Sequence, residues 1–320
     1  MSKKIAISDC DHINFAEEQA VCNEHGVELC VFQCKSADEI VEKLFDFEAI
    51  GVQYCCFTEE VMEKLPKLKC LVRYGVGVDT IDIKAASRLG ISVCNVPDYG
   101  TQEVAAHAFT LMMALTRKLE KMNRLVHGGI WKYEDSIPLY RYREMTVGVV
   151  GIGRIGRAFA NMVHALGCKV IAYDPAFAAG STLDSVPFVE LVSFEDLLRS
   201  SDVISLHSPL ETSRSAISEK ELKMMKPSAY LVNVTRGGVV DEQALATALK
   251  EHWIAGAACD TFVHEPLSKE DPLLQIPEFL ATPHMAWYSE QAASDLKRKL
   301  AEELVRSVSH EPLQYCLNRK

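Results

Sequence analysis

No uncharged apolar run in the sequence approaches the ~18 residues that a membrane-spanning helix needs, so no membrane association is expected. Positive charge is in deficit. Lys plus Arg number 34 against 44 Asp plus Glu, a formal charge of −10, which argues against salt-driven binding to nucleic acid. A small anionic ligand needs only a local positive pocket and is not excluded. The first residues, Met1 to Cys10, reach acids at Asp9 and Asp11 and lack the apolar stretch of a signal peptide, so a cytoplasmic location is expected. Cysteine is present but unpatterned: eleven residues, an odd number, with no C-x-x-C spacing. Cys55, Cys56, Cys70 and Cys94 interrupt strand-like runs and read as small buried hydrophobes in a reducing compartment, with no metal site. Repeats of fixed period and low-complexity tracts are missing as well.

What is present is ordinary globular composition, 48% hydrophobic and 24% charged, in 320 residues, enough for about two domains. Short apolar runs alternate with longer amphipathic ones, the pattern of parallel sheets flanked by helices. Strands are expected at 4–8, 51–54, 71–74 and 91–96, with helices at 36–45, opened by the capping-box spacing of Ser36 and Glu39, and at 61–68. From Thr101 the residues Val104, Ala105, Ala108, Leu111, Met112 and Leu115 recur at helical spacing, predicting a long helix. After a turn-rich stretch at 127–138, a second series of strands is expected at 146–150, 169–173, 203–207, 230–234 and 254–259, and a charged helix closes the chain at 289–308. The fold class is therefore α/β with two doubly wound parallel-sheet domains. The first is 1–100, completed by 285–320, and the second is 101–284.

Gly151, Gly153 and Gly156 form a G-x-G-x-x-G run between a strand and an amphipathic helix, and a second strand ends in Asp174, 18 positions later. Gly151 suits a tight turn, Gly153 lets backbone approach a pyrophosphate, and Gly156 allows close helix–strand packing. Asp174 suits the ribose hydroxyls of an adenosine and repels a 2′-phosphate. With no Lys or Arg directly after it, NAD is expected over NADP.

Three further residues come after strands in the second series: Arg236 before Gly237-Gly238, Glu265 beyond Asp260, and His284 in Thr282-Pro-His-Met-Ala-Trp287. An arginine can hold a carboxylate through two parallel hydrogen bonds and polarise a neighbouring carbonyl. Imidazole can give and take a proton near neutrality, and a carboxylate can orient it. The three together suit reversible hydride transfer at a small 2-oxo or 2-hydroxy acid.

With these motifs in hand, the chain resembles the D-isomer-specific 2-hydroxyacid dehydrogenases. The resemblance runs from Arg73-Tyr-Gly-Val-Gly-Val-Asp79 through Val234-Thr-Arg-Gly-Gly238 and Asp260-Thr-Phe-Val-His-Glu265-Pro266 to Thr282–Trp287. It implies a Rossmann nucleotide domain and a flavodoxin-like substrate domain. Arg236, Glu265 and His284 would be catalytic. Val104, Arg154, Ile155, Ser208, Pro209, Thr235 and Asp260, with His284 and Trp287, would contact NAD beside the glycines and Asp174. Tyr74, Gly75, Val76 and Gly77, with Arg236 and Trp287, would bind substrate. Asn95-Val-Pro97 and Ala286–Ala292 look closest to the branch holding the C-terminal-binding-protein corepressors and phosphoglycerate dehydrogenases. This gives an alternative, an NADH-responsive partner-binding module with residual activity. The long helix and the Trp131 segment match where the family forms homodimers.

Overall fold

The structure, a computed structural model, describes residues 3–318. Two compact units divide the chain: Met1–Gly100 with Ser289–Lys320, and Thr101–Tyr288. The return crossing lies at Ser289, a few residues beyond the expected 285.

Unit 1 is built on β1 (Lys4–Ile7), β2 (Glu28–Val31), β3 (Ala49–Val52), β4 (Cys70–Arg73) and β5 (Ser92–Cys94). All pair in parallel in the order β2-β1-β3-β4-β5, the flavodoxin-like arrangement. Strands β3 and β5 are buried along their whole length because helices cover both faces. The C-terminal helix Glu290–Ser309, capped by Ser289, lies so close over β3 that a Cβ on Gly51 would stand 3.2 Å from Leu300. Ser36 caps its helix by accepting from the Glu39 N–H, but the Glu39 carboxylate turns to Lys43 at 2.7 Å, so only half of the box forms. The helix expected at 61–68 is Glu59–Glu63, ended ahead of Pro66.

Unit 2 holds β6 (Thr146–Val150), β7 (Lys169–Tyr173), β8 (Glu190–Leu191), β9 (Val203–Leu206), β10 (Tyr230–Asn233), β11 (Gly256–Cys259) and β12 (Phe279–Ala281). The parallel order is β12-β11-β10-β9-β6-β7-β8, a Rossmann sheet with one added edge strand. Its direction of growth reverses between β6 and β9, and such a reversal opens a crevice at the carboxyl ends of those two strands. Two apolar clusters fill its faces, one around Met112, Phe159 and Val163, the other around Leu197, Leu231 and Leu249.

Strands β2 and β8 and the helices Ala16–Glu24 and Leu119–His127 were not expected from the sequence. Both are edge strands: β2 buries none of its four residues fully, and β8 has only two residues. The helix Leu119–His127 carries a one-sided apolar stripe of Leu119, Met122, Leu125 and Val126 yet buries none of its residues, so the stripe is not part of the core. All eleven cysteines are free. Among the described residues no helix is long and apolar enough to cross a membrane.

Candidate active site

The turn after β6 is shaped by contacts that exclude side chains. Gly151 has φ +89, and a Cβ there would stand 2.7 Å from the Ser208 nitrogen just beyond β9. A Cβ on Gly156 would meet the Gly151 carbonyl oxygen at 2.1 Å, so only glycine lets the helix Arg154–Ala165 begin this close to the turn. Gly153 differs: nothing lies within 4 Å of its missing Cβ, and its flank is open. It sits at the N-cap of that helix, where no side chain caps the first amides. At the end of β7, Asp174 accepts from Ile152 N–H and Ala176 N–H, both at 2.9 Å, which fixes the acid to the glycine turn.

The three expected catalytic residues all belong to unit 2. His284 Nδ1 lies 2.7 Å from Glu265 Oε2, and Glu265 Oε1 accepts from the Phe262 N–H at 2.8 Å. Partial burial pushes the Glu265 carboxyl up. The hydrogen bonds from His284 and Phe262 and the charges of His284 and Arg236 outweigh it and hold the carboxyl below its ordinary value. Arg236 thus stands close enough for its charge to be felt at Glu265, and its Nη1 donates to the Thr235 carbonyl at 2.9 Å.

Two residues that sequence reasoning missed build this arrangement. Asn233, buried at the end of β10, accepts from Thr235 N–H and Oγ1 and donates to the Arg236 carbonyl, tying off the turn that carries the arginine. Gly237 touches the segment that carries Glu265: a Cβ there would lie 2.0–2.2 Å from Phe262 C, Phe262 O and Val263 N. A cavity of about 470 Å³ lined by Lys118, Tyr140, Tyr230, Ala255 and Glu278 lies at the opposite, amino end of these strands and takes no part in the triad.

In unit 1, the loop after β4 carries the expected substrate residues. Gly75 has φ +127, Val76 is exposed, and the Val76 carbonyl accepts from the buried Asn95 side chain at 2.7 Å. Tyr74 departs from expectation. It is 3% exposed and its hydroxyl donates to buried Glu18 at 2.8 Å, so it packs inside unit 1 and is not a pocket wall. Cys10, Asp11 and His12 place potential metal-binding atoms within 4.8 Å of one another. Burial pushes the Cys10 thiol up to about 12, however, and Asp11 already accepts from Gln53 and Tyr54, so the cluster is a poor metal site.

Residues 109–286 match the family model described as D-isomer specific 2-hydroxyacid dehydrogenase, NAD binding domain. A glyoxylate reductase of Korarchaeum cryptofilum is 39% identical over 271 residues, 83% of this chain and 81% of that one. The chain belongs to the D-isomer-specific 2-hydroxyacid dehydrogenase family. Two solved structures extend the likeness across nearly the whole chain. An acyclic imino acid reductase in complex with NADPH and D-Arg gives a TM-score of 0.88 at 29% identity, covering 98% of this chain and 100% of that one. A D-lactate dehydrogenase of Aquifex aeolicus complexed with NAD and lactic acid gives 0.87 at 26% identity, covering 96% of each.

The chain is accordingly an NAD-dependent 2-hydroxyacid dehydrogenase, and its own residues fit that cofactor. The open flank of Gly153 and the uncapped helix amides suit a pyrophosphate. Asp174 keeps lone pairs beyond its two backbone bonds for ribose hydroxyls, and its negative charge disfavours a 2′-phosphate. Ser208 Oγ is buried with no protein partner beside the glycine turn, as expected for a group that meets a ligand. Thr235, Pro209, Ile155 and Arg154 lie beyond the carboxyl ends of β10, β9 and β6, where the sheet places its crevice. Val104 is half-buried on the helix Thr101–Thr116, and Trp287 stacks edge-on with Tyr288 at 5.5 Å. Asp260, the other expected cofactor contact, stands at the end of β11. It is wholly buried, and its carboxylate accepts from Thr282 Oγ1, Met285 N–H and Ala286 N–H, so it serves the turn around His284.

Proposed function

We propose that this dehydrogenase interconverts a compact 2-oxo acid and its D-2-hydroxy acid, with His284 as acid/base, Arg236 as the carboxylate and carbonyl ligand, and Glu265 as the partner of the imidazole. The observation that carries the proposal is the 2.7 Å bond between His284 Nδ1 and Glu265 Oε2, on a carboxylate that also feels Arg236. Because Glu265 stays ionised, it accepts the Nδ1 proton and leaves Nε2 as the atom that exchanges a proton with substrate. The hydride to the carbonyl carbon would come from NADH when it is bound. His284 Nε2 delivers a proton to the carbonyl oxygen, the Arg236 guanidinium holds the neighbouring carboxylate, and Glu265 stabilises the imidazolium whenever His284 is charged. The reverse direction retraces these transfers.

The glyoxylate reductase relative and the lactic acid complex support small substituents. Unit 1 is the proposed substrate domain, with Gly75–Gly77 as its carboxylate-binding backbone. A homodimer is proposed as well. Trp131 is 86% and Tyr133 73% exposed, beside exposed Leu119, Ile137 and Tyr140, an apolar face of the kind a second copy covers. The relatives named above are enzymes, and no finding supports the corepressor alternative.

The test is His284→Gln assayed with glyoxylate, hydroxypyruvate, pyruvate and a phosphorylated 2-oxo acid. Wild type is expected to prefer the compact acids. The variant is expected to lose roughly 10²- to 10⁴-fold in kcat while binding NADH with unchanged Kd. Undiminished turnover by the variant ends the acid/base assignment.

A further inference from the structure

His284 occupies a left-handed backbone conformation at φ +52, one that a residue with a side chain keeps only where its surroundings over-determine it. The surroundings converge on Asp260. Its carbonyl accepts from His284 N–H at 2.8 Å. Its Oδ1 accepts from Thr282 Oγ1 at 2.5 Å and from Met285 N–H at 3.0 Å, and its Oδ2 accepts from Ala286 N–H at 2.9 Å. A hydroxyl has one proton, and Thr282 gives it to Asp260. The remaining contact at Thr282 Oγ1, His107 Nε2 at 3.0 Å, must therefore be donated by the histidine, which fixes the ring as the Nε2–H form. That N–H also lies 3.6 Å from Asp260 Oδ1.

We infer that His107 is a positioning residue which, through Thr282 and the Asp260 carboxylate, holds the left-handed turn that presents the His284 imidazole. The inference rests on the reading of His284 as the acid/base. A donor on Oγ1 leaves the Thr282 proton only one direction, and an oxygen that accepts one hydrogen bond donates a stronger one. Without His107 the hydroxyl is free to rotate, and Asp260 loses one of the three donors that keep its buried charge satisfied. The helix Thr101–Thr116 that carries His107 starts at the first residue of unit 2, and the Thr282–Ala286 turn leads to its last, Tyr288. The segment at which the chain leaves the unit is thus bound to one carboxylate, and the segment at which it enters is tied to the same carboxylate through Thr282. Val104 stands one helical turn before His107 on the same face, so a ligand against Val104 would press on the element that steadies the acid/base.

The experiment compares His107→Leu, which removes the donor, with His107→Gln, whose amide restores one. In the enzyme without cofactor, hydrogen exchange of the 282–288 segment is expected to quicken about tenfold in His107→Leu while β11 is unchanged. In the complete assay kcat falls about tenfold, NADH Kd stays within about twofold, and His107→Gln recovers most of both losses. Unchanged exchange, unchanged kcat, a parallel loss of NADH affinity, or failure of the glutamine to rescue would each overturn the inference. If His107→Leu does not fold, Thr282→Val against Thr282→Ser asks the same question, with rescue expected only from serine. The underlying reading fails separately: active His284→Gln refutes the acid/base, whatever the exchange of the turn shows.

Discussion

Gly237→Ala tests whether the arginine turn and the glutamate segment are held in register by direct backbone contact. The added methyl would begin 2.0–2.2 Å from Phe262 C, Phe262 O and Val263 N, where real contacts do not fall below 3.0 Å. Relief requires the two segments to part by about 1 Å, since the obstructing atoms are all backbone. The moving segment is pinned on both sides: Phe262 N–H holds Glu265, and Val263 N–H donates to Glu242 at 2.7 Å. Parting therefore carries Glu265 away from Arg236 and strains its bond to His284. Overpacking of this kind costs about 1–3 kcal/mol of stability, and a misplacement of about 1 Å at a reacting centre costs on the order of 10²-fold in rate. The assay is steady-state NADH oxidation with glyoxylate, paired with thermal unfolding and an NADH titration. A folded variant with kcat near 1% of wild type and near-normal NADH affinity is expected. Retention of kcat within about threefold in a variant of normal stability would refute the register argument.

Two glycines of the nucleotide turn are expected to separate binding from folding. Gly153→Ala meets open space, so its Tm should stay within a few degrees while NADH Kd rises at least about tenfold; Gly156→Ala meets a carbonyl and should lower Tm, as calorimetry would show. Burial holds the His207 imidazole down to about 3, so the unfolded chain takes up a proton near pH 6.5 that the folded one refuses. Stability present above pH 6.5 is then lost as pH falls toward 3, by at most about 1.4 kcal/mol per pH unit, and His207→Phe should flatten that limb in denaturant titrations at several pH values. Trp131→Glu places a charge on the exposed apolar face and is expected to convert a dimer to monomers in light scattering, whereas a wild type already monomeric would end the dimer proposal.

The nucleotide turn was legible because each glycine answers a constraint of local geometry: a left-handed turn at Gly151, and helix and turn in contact at Gly156. Arg236, Glu265 and His284 were legible because a parallel sheet gathers the loops beyond its strands' carboxyl ends, so residues 29 and 19 positions apart in the chain meet at one edge. The residues that hold them there were not. Asn233 reads as a strand residue, and its role appears only when the turn closes on its carboxamide. His107 lies 175 positions from Thr282, and no local pattern couples them. The same limit misplaced Tyr74, whose position after a strand suggested a pocket while burial against Glu18 decided otherwise.

Asp260 and Glu265, five residues apart on either side of the same turn, show how burial divides work between two acids. Asp260 is wholly buried, and a charge so placed must be satisfied by fixed donors, which here are backbone amides and Thr282. Glu265 is 36% exposed at its side chain and shares its charge between Phe262 N–H, an imidazole and the field of Arg236, partners that solvent can partly replace. Amide substitutions should therefore diverge. In Asp260→Asn the new NH2 must face at least one donor, leaving buried groups unsatisfied at about 1–3 kcal/mol each, so Tm and kcat should both fall. In Glu265→Gln the bond to His284 survives in weakened form and only the charge is lost, so kcat should fall by about 10- to 100-fold with Tm nearly unchanged. Thermal unfolding and turnover of the two variants side by side decide the matter. If Glu265→Gln proves the less stable protein, burial is not what assigns the two carboxylates their roles.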